Sequence, residues 1–318
     1  MKSKHGFNGN WDGIVRNEKL IAEQNVNPYR KPFTICDVMA DKNNYRFMRL
    51  MQAPDAKYFW RTLYNNHPSM KTTNEDPGPV PDWVNELWKY GEALQKWFET
   101  ERGNKDRFIP KIVEMASCKN KAPWASWSGT AWRGLTRSVR LIATYKMTDK
   151  IDMWGGRTWL IGMTSYKSKY AIQSWTTLKD TTLNFADQTI TTPSTDFGVV
   201  LETNIAKEEG FLSPEITNFN NSNFEESEVI RMSNKETIVK AYVDVQHIVQ
   251  WLVRKIDFDD KKKYPNLSFL PNSKSPSLES DAINELSPVF GHALAKKLMS
   301  PKHAFRVKFD SHVKATVK

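Results

Sequence analysis

In the stretch Thr237-Ile238-Val239-Lys240-Ala241-Tyr242-Val243-Asp244-Val245, apolar and polar side chains alternate. Val239, Ala241, Val243 and Val245 fall on one side of an extended chain and Lys240, Tyr242 and Asp244 on the other, because successive strand side chains point to opposite faces. The segment is a half-buried strand with one dry and one wetter face. Working upstream, short runs rich in Val, Ile, Thr, Tyr and Trp repeat this signal from Pro123 onward. They lie at Thr130 to Trp132 leading into Arg133, Thr158 to Thr164, Phe197 to Ile205, and Glu228 to Met232.

Before Pro123 the pattern is helical. From Asp82, the residues Trp83, Val84, Leu87, Trp88, Leu94, Trp97 and Phe98 recur at three- and four-residue intervals, which puts them on one stripe that packs as core rather than as a ligand cage. Three prolines and a glycine in Asn74-Glu75-Asp76-Pro77-Gly78-Pro79-Val80-Pro81 interrupt helix just ahead of it. Downstream of the decisive strand comes a short amphipathic stretch, Gln246 to Val253. A charged and Ser/Pro/Asn-rich connection then runs from Asp259 to Ser280. The tail offers a helix near Ala282 to Met299. After it, Phe305, Val307 and Phe309 alternate with Arg306 and Lys308, and Val313, Ala315 and Val317 keep the same parity, as a closing strand or hairpin would. The expected class is α+β: a helical lobe over residues 1–118, a strand-rich core over 119–257, and a linker, helix and strand over 258–318.

With 318 residues, 39% of them hydrophobic, the chain can bury a sizeable core. Its 46 Lys and Arg outnumber 36 Asp and Glu, a formal charge of +10 that favours encounters with nucleic acid or acidic proteins and says nothing of chemistry. Neither an RNA-binding aromatic motif nor zinc-finger spacing accompanies that charge. Cys36 and Cys118 are far apart in sequence and lack a CxxC spacing, so unpaired thiols in a reducing compartment are expected, with no metal site. No apolar run is long enough to span a membrane, and the polar start predicts no secretory signal. His5, His67, His247, His292, His303 and His312 are scattered, away from any nucleophile or HExxH motif.

Three segments carry candidate chemistry: Gly129-Thr130-Ala131-Trp132-Arg133-Gly134-Leu135, Trp159-Leu160-Ile161-Gly162-Met163-Thr164-Ser165-Tyr166, and Phe224-Glu225-Glu226-Ser227-Glu228-Val229-Ile230. Each alone is ordinary, and the acidic cluster alone reads as a solvated loop end. In their order and strand context they resemble the arginine-serine-glutamate class of mono-ADP-ribosyltransferases over about residues 120 to 250. Trp132-Arg133-Gly134 matches that family's aromatic-Arg-Gly and Glu226-Ser227-Glu228 its Glu-x-Glu. Met163-Thr164-Ser165 stands for Ser-Thr-Ser with the first hydroxyl missing. Lys- and Asn-rich relatives of this kind are familiar among bacteriophage proteins, which would place the chain in a host cytoplasm or a virion.

The resemblance implies a split two-sheet β core with NAD as co-substrate and no metal. Glu228 would face the nicotinamide ribose, where a fixed carboxylate stabilises the oxocarbenium-like charge left as nicotinamide departs. Ser165 would orient Glu228, with Thr164 beside it. Arg133 would hold the pyrophosphate through its guanidinium fork, and Gly134 would let backbone approach the nicotinamide carboxamide. Glu226, two residues before Glu228, shares its face if the strand is extended there, whereas Glu225 faces away. As a second carboxylate Glu226 would activate a guanidinium acceptor, which makes a protein arginine the expected target, on a partner such as a component of the transcription or translation machinery. Phe219 and Phe224 lie in the segment that recognises the target or fold back on the core. Tyr166 and Trp175 stack on the nicotinamide or pack, the second being favoured. A bare NAD glycohydrolase, an RNA-modifying transferase with the same residues, and a non-catalytic nucleic-acid-associated protein are the alternatives.

Overall fold

Helices before residue 118 and antiparallel strands after residue 125 make this an α+β protein. The structure, a computed structural model, describes residues 33–41, 45–65, 78–99, 105–168, 171–188, 196–217, 227–256 and 276–316. In chain order the helices are α1 (Ile35–Met39), α2 (Tyr45–Gln52), α3 (Ala56–Asn65), α4 (Asp82–Glu99), α5 (Ile109–Ser117), α6 (Val139–Ile142), α7 (Thr182–Gln188), α8 (Pro214–Thr217), α9 (Val245–Lys255), α10 (Pro276–Phe290), α11 (His292–Leu298) and α12 (Ala304–Thr316). The strands are β1 (Ser126–Ser138), β2 (Lys146–Trp154), β3 (Arg157–Tyr166), β4 (Ile172–Thr176), β5 (Asp196–Phe211), β6 (Glu228–Met232) and β7 (Thr237–Asp244). They form two units that interleave along the chain, where the sequence suggested three consecutive segments. One takes Met1–Gly129, Tyr170–Ser174 and Ile205–Ser233, the other Thr130–Lys169, Trp175–Asn204 and Asn234–Lys318.

The first unit is built on the helices. Thr34 and Asp37 close a capping box at the start of α1: the Thr34 hydroxyl oxygen accepts from the Asp37 N–H at 3.2 Å, and the Asp37 carboxylate from the Thr34 N–H at 2.9 Å. The α4 stripe is core, as expected. Val84, Leu87, Leu94 and Trp97 are buried with Phe47, Leu50, Phe59, Ile112 and Met115, and the Trp88 indole donates to the Ala53 carbonyl at 3.1 Å. A Cβ at Gly91 would overlap the Leu50 carbonyl, so the glycine lets α4 approach α2 closely. Ile172, Phe211 and Ile230, from β4, β5 and β6, join the same core. There β5 and β6 pair antiparallel, with Gly210 opposite Arg231 and Phe211 opposite Ile230.

The two cysteines correct the expectation of unpaired thiols. Cys36 in α1 and Cys118, just past α5, form a disulfide with their Cα atoms 5.2 Å apart across a sequence separation of 82. Separation in sequence says little about separation in a helical fold, and the pairing removes the reason for assigning a reducing compartment.

The second unit is a sheet with helices on it. β2 and β3 form a hairpin around Gly155 and Gly156, both at positive φ (59° and 70°), as a two-residue turn matched to strand twist requires. β3 pairs β7 over eight residues, from Trp159 opposite Asp244 to Tyr166 opposite Thr237. β7 pairs β5 from Val243 opposite Val199 to Lys240 opposite Glu202. The wetter face expected of β7 is covered where Tyr242 and Asp244 lie, both buried. Asp244 accepts from the Gln246 N–H at 2.8 Å and so caps α9, the amphipathic stretch foreseen after this strand.

The tail departs from expectation. Residues 304–316 are helix α12, not a strand: Phe305, Phe309 and Val313 are buried at a four-residue spacing while Val307 is 54% exposed. Alternation over five residues fits a helix face equally when only the first and fifth residues are core. Arg306, also buried, anchors the helix by donating to Asp310 at 2.8 Å, Glu279 at 3.1 Å and the Met299 carbonyl at 3.1 Å. The single helix expected over 282–299 is two, α10 and α11, broken at Gly291 with φ 80°.

Candidate active site

In the first unit, Glu228 opens β6 and is 8% exposed. Its Oε1 accepts the Trp97 indole N–H at 3.0 Å and the Ser174 hydroxyl. Trp97 comes from the α4 stripe and Ser174 from β4, which neighbours β6. Two donors on one oxygen fix the carboxylate's orientation. Just before it, Ser227 is buried at φ 45°, in the left-handed region that a residue with a Cβ enters at a cost of about 1 kcal/mol.

That conformation changes the basis on which Glu226 was paired with Glu228. Two residues share a strand face only if the residue between them is extended, and Ser227 is not. Glu226 itself lies outside the described residues, as do Glu225, Phe219 and Phe224.

In the second unit, strand parity sorts the other candidates. Trp132 packs against a cluster of Trp159, Ala186, Val200 and Tyr242, and Ile161 packs on the same cluster. Ser165, four residues after Ile161 on β3, points to that face; its hydroxyl donates to Glu236. Arg133, next to Trp132 on β1, leaves on the face opposite Trp132. Thr164 is buried on the face away from Ser165, and its hydroxyl lies 3.3 Å from the Ser165 carbonyl. Gly134 shares the Trp132 face. A Cβ there would overlap the Thr182 carbonyl and press on Phe185, so the packing of α7 already requires a glycine. Tyr166 meets Trp175 edge to face at 5.9 Å, and Trp175 is buried, as the packing alternative anticipated.

The same face holds a carboxylate that sequence reasoning passed over. Glu202 on β5 accepts at Oε2 both the Trp132 indole N–H, at 3.1 Å, and the Tyr242 hydroxyl. Lys179 lies over the rings of Trp154 (4.3 Å) and Tyr242 (4.6 Å) and 3.4 Å from Asp152. Burial, and then the hydrogen bond to Glu202, push the Tyr242 hydroxyl well above the usual tyrosine range. The available signal was a lone acid inside the apolar run Phe197 to Ile205. Ser174 carried no comparable signal, since a serine between Gln173 and Trp175 is ordinary strand sequence.

Among the described residues, no cluster of His, Cys, Asp and Glu is arranged to hold a metal ion, and no helix is long and apolar enough to cross a membrane. No protein-family model, no curated protein and no solved structure matches the chain.

Proposed function

We propose that the chain cleaves NAD at its nicotinamide–ribose bond and transfers ADP-ribose to arginine side chains of a protein, on an ADP-ribosyltransferase-like core. Glu228 is the carboxylate that works at the ribose. The observation that carries this is its double anchorage: an acid in a Glu-x-Glu segment, at the head of a strand, held by a serine hydroxyl and an indole N–H on one oxygen. The resemblance asks for a serine that orients the glutamate, and Ser174 supports that role better than Ser165, whose hydroxyl goes to Glu236.

Chemically, the C1′–N bond breaks with its electron pair leaving on nicotinamide, and the ribose carries the resulting positive charge. A carboxylate already oriented by Ser174 and Trp97 stabilises that charge without reorganising. The acceptor arginine nitrogen then bonds to C1′ and gives up a proton, for which Glu226 is the candidate base. Arg133 is the candidate pyrophosphate ligand. Gly134, beside it on β1, is the candidate for the backbone approach to the nicotinamide carboxamide.

The test is incubation of purified protein with labelled NAD and a cell lysate. Label should enter protein and be released by arginine-linkage-specific hydrolysis, and Glu228→Gln should slow the reaction by about a hundredfold or more, the scale of losing one preorganised electrostatic group. Turnover in Glu228→Gln close to that of the parent would remove Glu228 from its role. Label confined to RNA would defeat the protein-arginine target, and nicotinamide release without any label transfer would leave a glycohydrolase.

A further inference from the structure

A pocket of about 350 Å³ lies wholly within the second unit, lined by Gly156, Arg157, Thr158, Asp244, Gln246, His247 and Lys308. None of these residues takes part in the proposed reaction. The volume is in the range that admits a small metabolite.

Its chemistry is that of a donor cage. Asp244 is the one carboxylate, and both of its oxygens are engaged: Oδ1 accepts from the Gln246 N–H at 2.8 Å and Oδ2 from the Arg157 guanidinium at 3.0 Å. The acid therefore serves to hold Arg157 and to cap α9. His247 accepts the Gly198 N–H at Nδ1, 2.9 Å away, so the proton of its neutral ring sits on Nε2. That Nε2–H, the Lys308 ammonium and the Gln246 amide have no protein partner among the described residues. Thr158 lines the pocket from β3 and adds a hydroxyl to its wall. At the mouth, the space beside Gly156 is open.

We infer that this pocket binds the phosphate group of a small phosphorylated molecule. Donors converge on it from three elements, Thr158 from β3, Gln246 and His247 from the start of α9, and Lys308 from α12. Directions so spread suit a tetrahedral anion better than a flat carboxylate, and the first turn of a helix adds favourable potential for negative charge. The volume left beyond one phosphate has room for the sugar or alcohol that carries it.

The experiment uses the full chain and two probes, inorganic phosphate and ribose 5-phosphate, titrated calorimetrically against sodium chloride of matched ionic strength, with ribose alone and acetate as controls. Both phosphates should bind and neither control should. Lys308→Ala, at an exposed position, should weaken binding about tenfold, the scale of one charge-assisted hydrogen bond. Thr158→Val should weaken it by a comparable factor while melting no lower than the parent in phosphate-free buffer, and Lys302→Ala, outside the pocket, should leave it unchanged. Phosphate binding no better than chloride, ribose binding without its phosphate, or undiminished affinity in both pocket variants would each overturn the assignment. NAD turnover plays no part in these readings, so their failure would leave the proposed reaction untouched.

Discussion

Reduction of the Cys36–Cys118 bond should destabilise the first unit substantially. The bond closes a loop of 82 residues that holds α1 to α5 and the core residues Phe47, Leu50, Phe59, Leu94 and Ile112. Cross-linking a loop of that length removes about 15 cal/mol/K of entropy from the unfolded chain, or about 4.5 kcal/mol at 25 °C. The native state loses little on reduction, because two thiols remain among apolar neighbours and behave as small hydrophobes. Nearly all of the effect should therefore appear as a gain of freedom in the unfolded state.

Urea unfolding followed by tryptophan fluorescence, with and without reductant, reads this directly. The midpoint should fall by roughly 1.5 to 2.3 M on reduction, given slopes on the order of 2 to 3 kcal/mol/M. A Cys36→Ser, Cys118→Ser double variant should unfold like the reduced parent in either buffer, which separates loss of the bond from other effects of the reductant. Thiol titration of denatured, never-reduced protein should find none. Two titratable thiols, or identical midpoints in the two buffers, would refute the entropy account.

Other consequences follow from the same packing. Phe309→Ala should cost about 3 to 5 kcal/mol, as truncating a buried aromatic does, whereas Val307→Lys should stay within about 0.5 kcal/mol; a strand over 304–316 would not separate the two so widely, and urea midpoints decide. Gly134→Ala should cost about 1 to 3 kcal/mol through overlap with the Thr182 carbonyl, a loss of stability measurable without any NAD present. Tyr242 ionises in the folded state well above its ordinary value of 10.0, so above about pH 10 the unfolded chain sheds a proton that the folded chain keeps. Stability linked to it is complete below pH 10 and falls as pH rises, and Tyr242→Phe should flatten that fall between pH 10 and 11.5; equal slopes would clear Tyr242 of the effect. For the reaction, Ser174→Ala should slow NAD cleavage far more than Ser165→Ala, and the reverse order in steady-state rates would restore Ser165 to the glutamate.

Much of the fold was legible because it rests on local periodicity. The alternation in 237–245 and the stripe in 82–98 each survive as β7 and α4, since burial of one face demands that spacing. β2 escaped notice for a physical reason: Lys146-Met147-Thr148-Asp149-Lys150-Ile151-Asp152-Met153-Trp154 is mostly exposed, with charges that keep a sheet edge from pairing further, and only Gly155-Gly156 betrayed the hairpin. The tail failed in the other direction. Phe305, Val307 and Phe309 satisfy a period of two, yet the core takes Phe305, Phe309 and Val313, and the buried Arg306, bonded to Asp310, Glu279 and the Met299 carbonyl, reveals which spacing counts.

The site was less legible, because hydroxyl–carboxylate contacts are decided between strands and not along them. Thr164-Ser165 drew attention by lying at a strand end beside apolar residues, and that position left Ser165 exposed and within reach of Glu236. Ser174 lies in a five-residue strand whose neighbours Gln173 and Trp175 are buried, so nothing in its local pattern distinguishes it from packing. What selects it is register: β4 lies beside β6, and one hydroxyl on β4 falls level with the first carboxylate of β6. The left-handed Ser227 sharpens the same point. Because Ser227 is not extended, the orientation of Glu228 is a matter of Ser174 and Trp97 rather than of alternation with Glu226. A transferase built on Glu228 should therefore tolerate Glu226→Gln in nicotinamide release while losing transfer to arginine, since only the second step needs a base, and equal loss of both steps would tie the two carboxylates into one function.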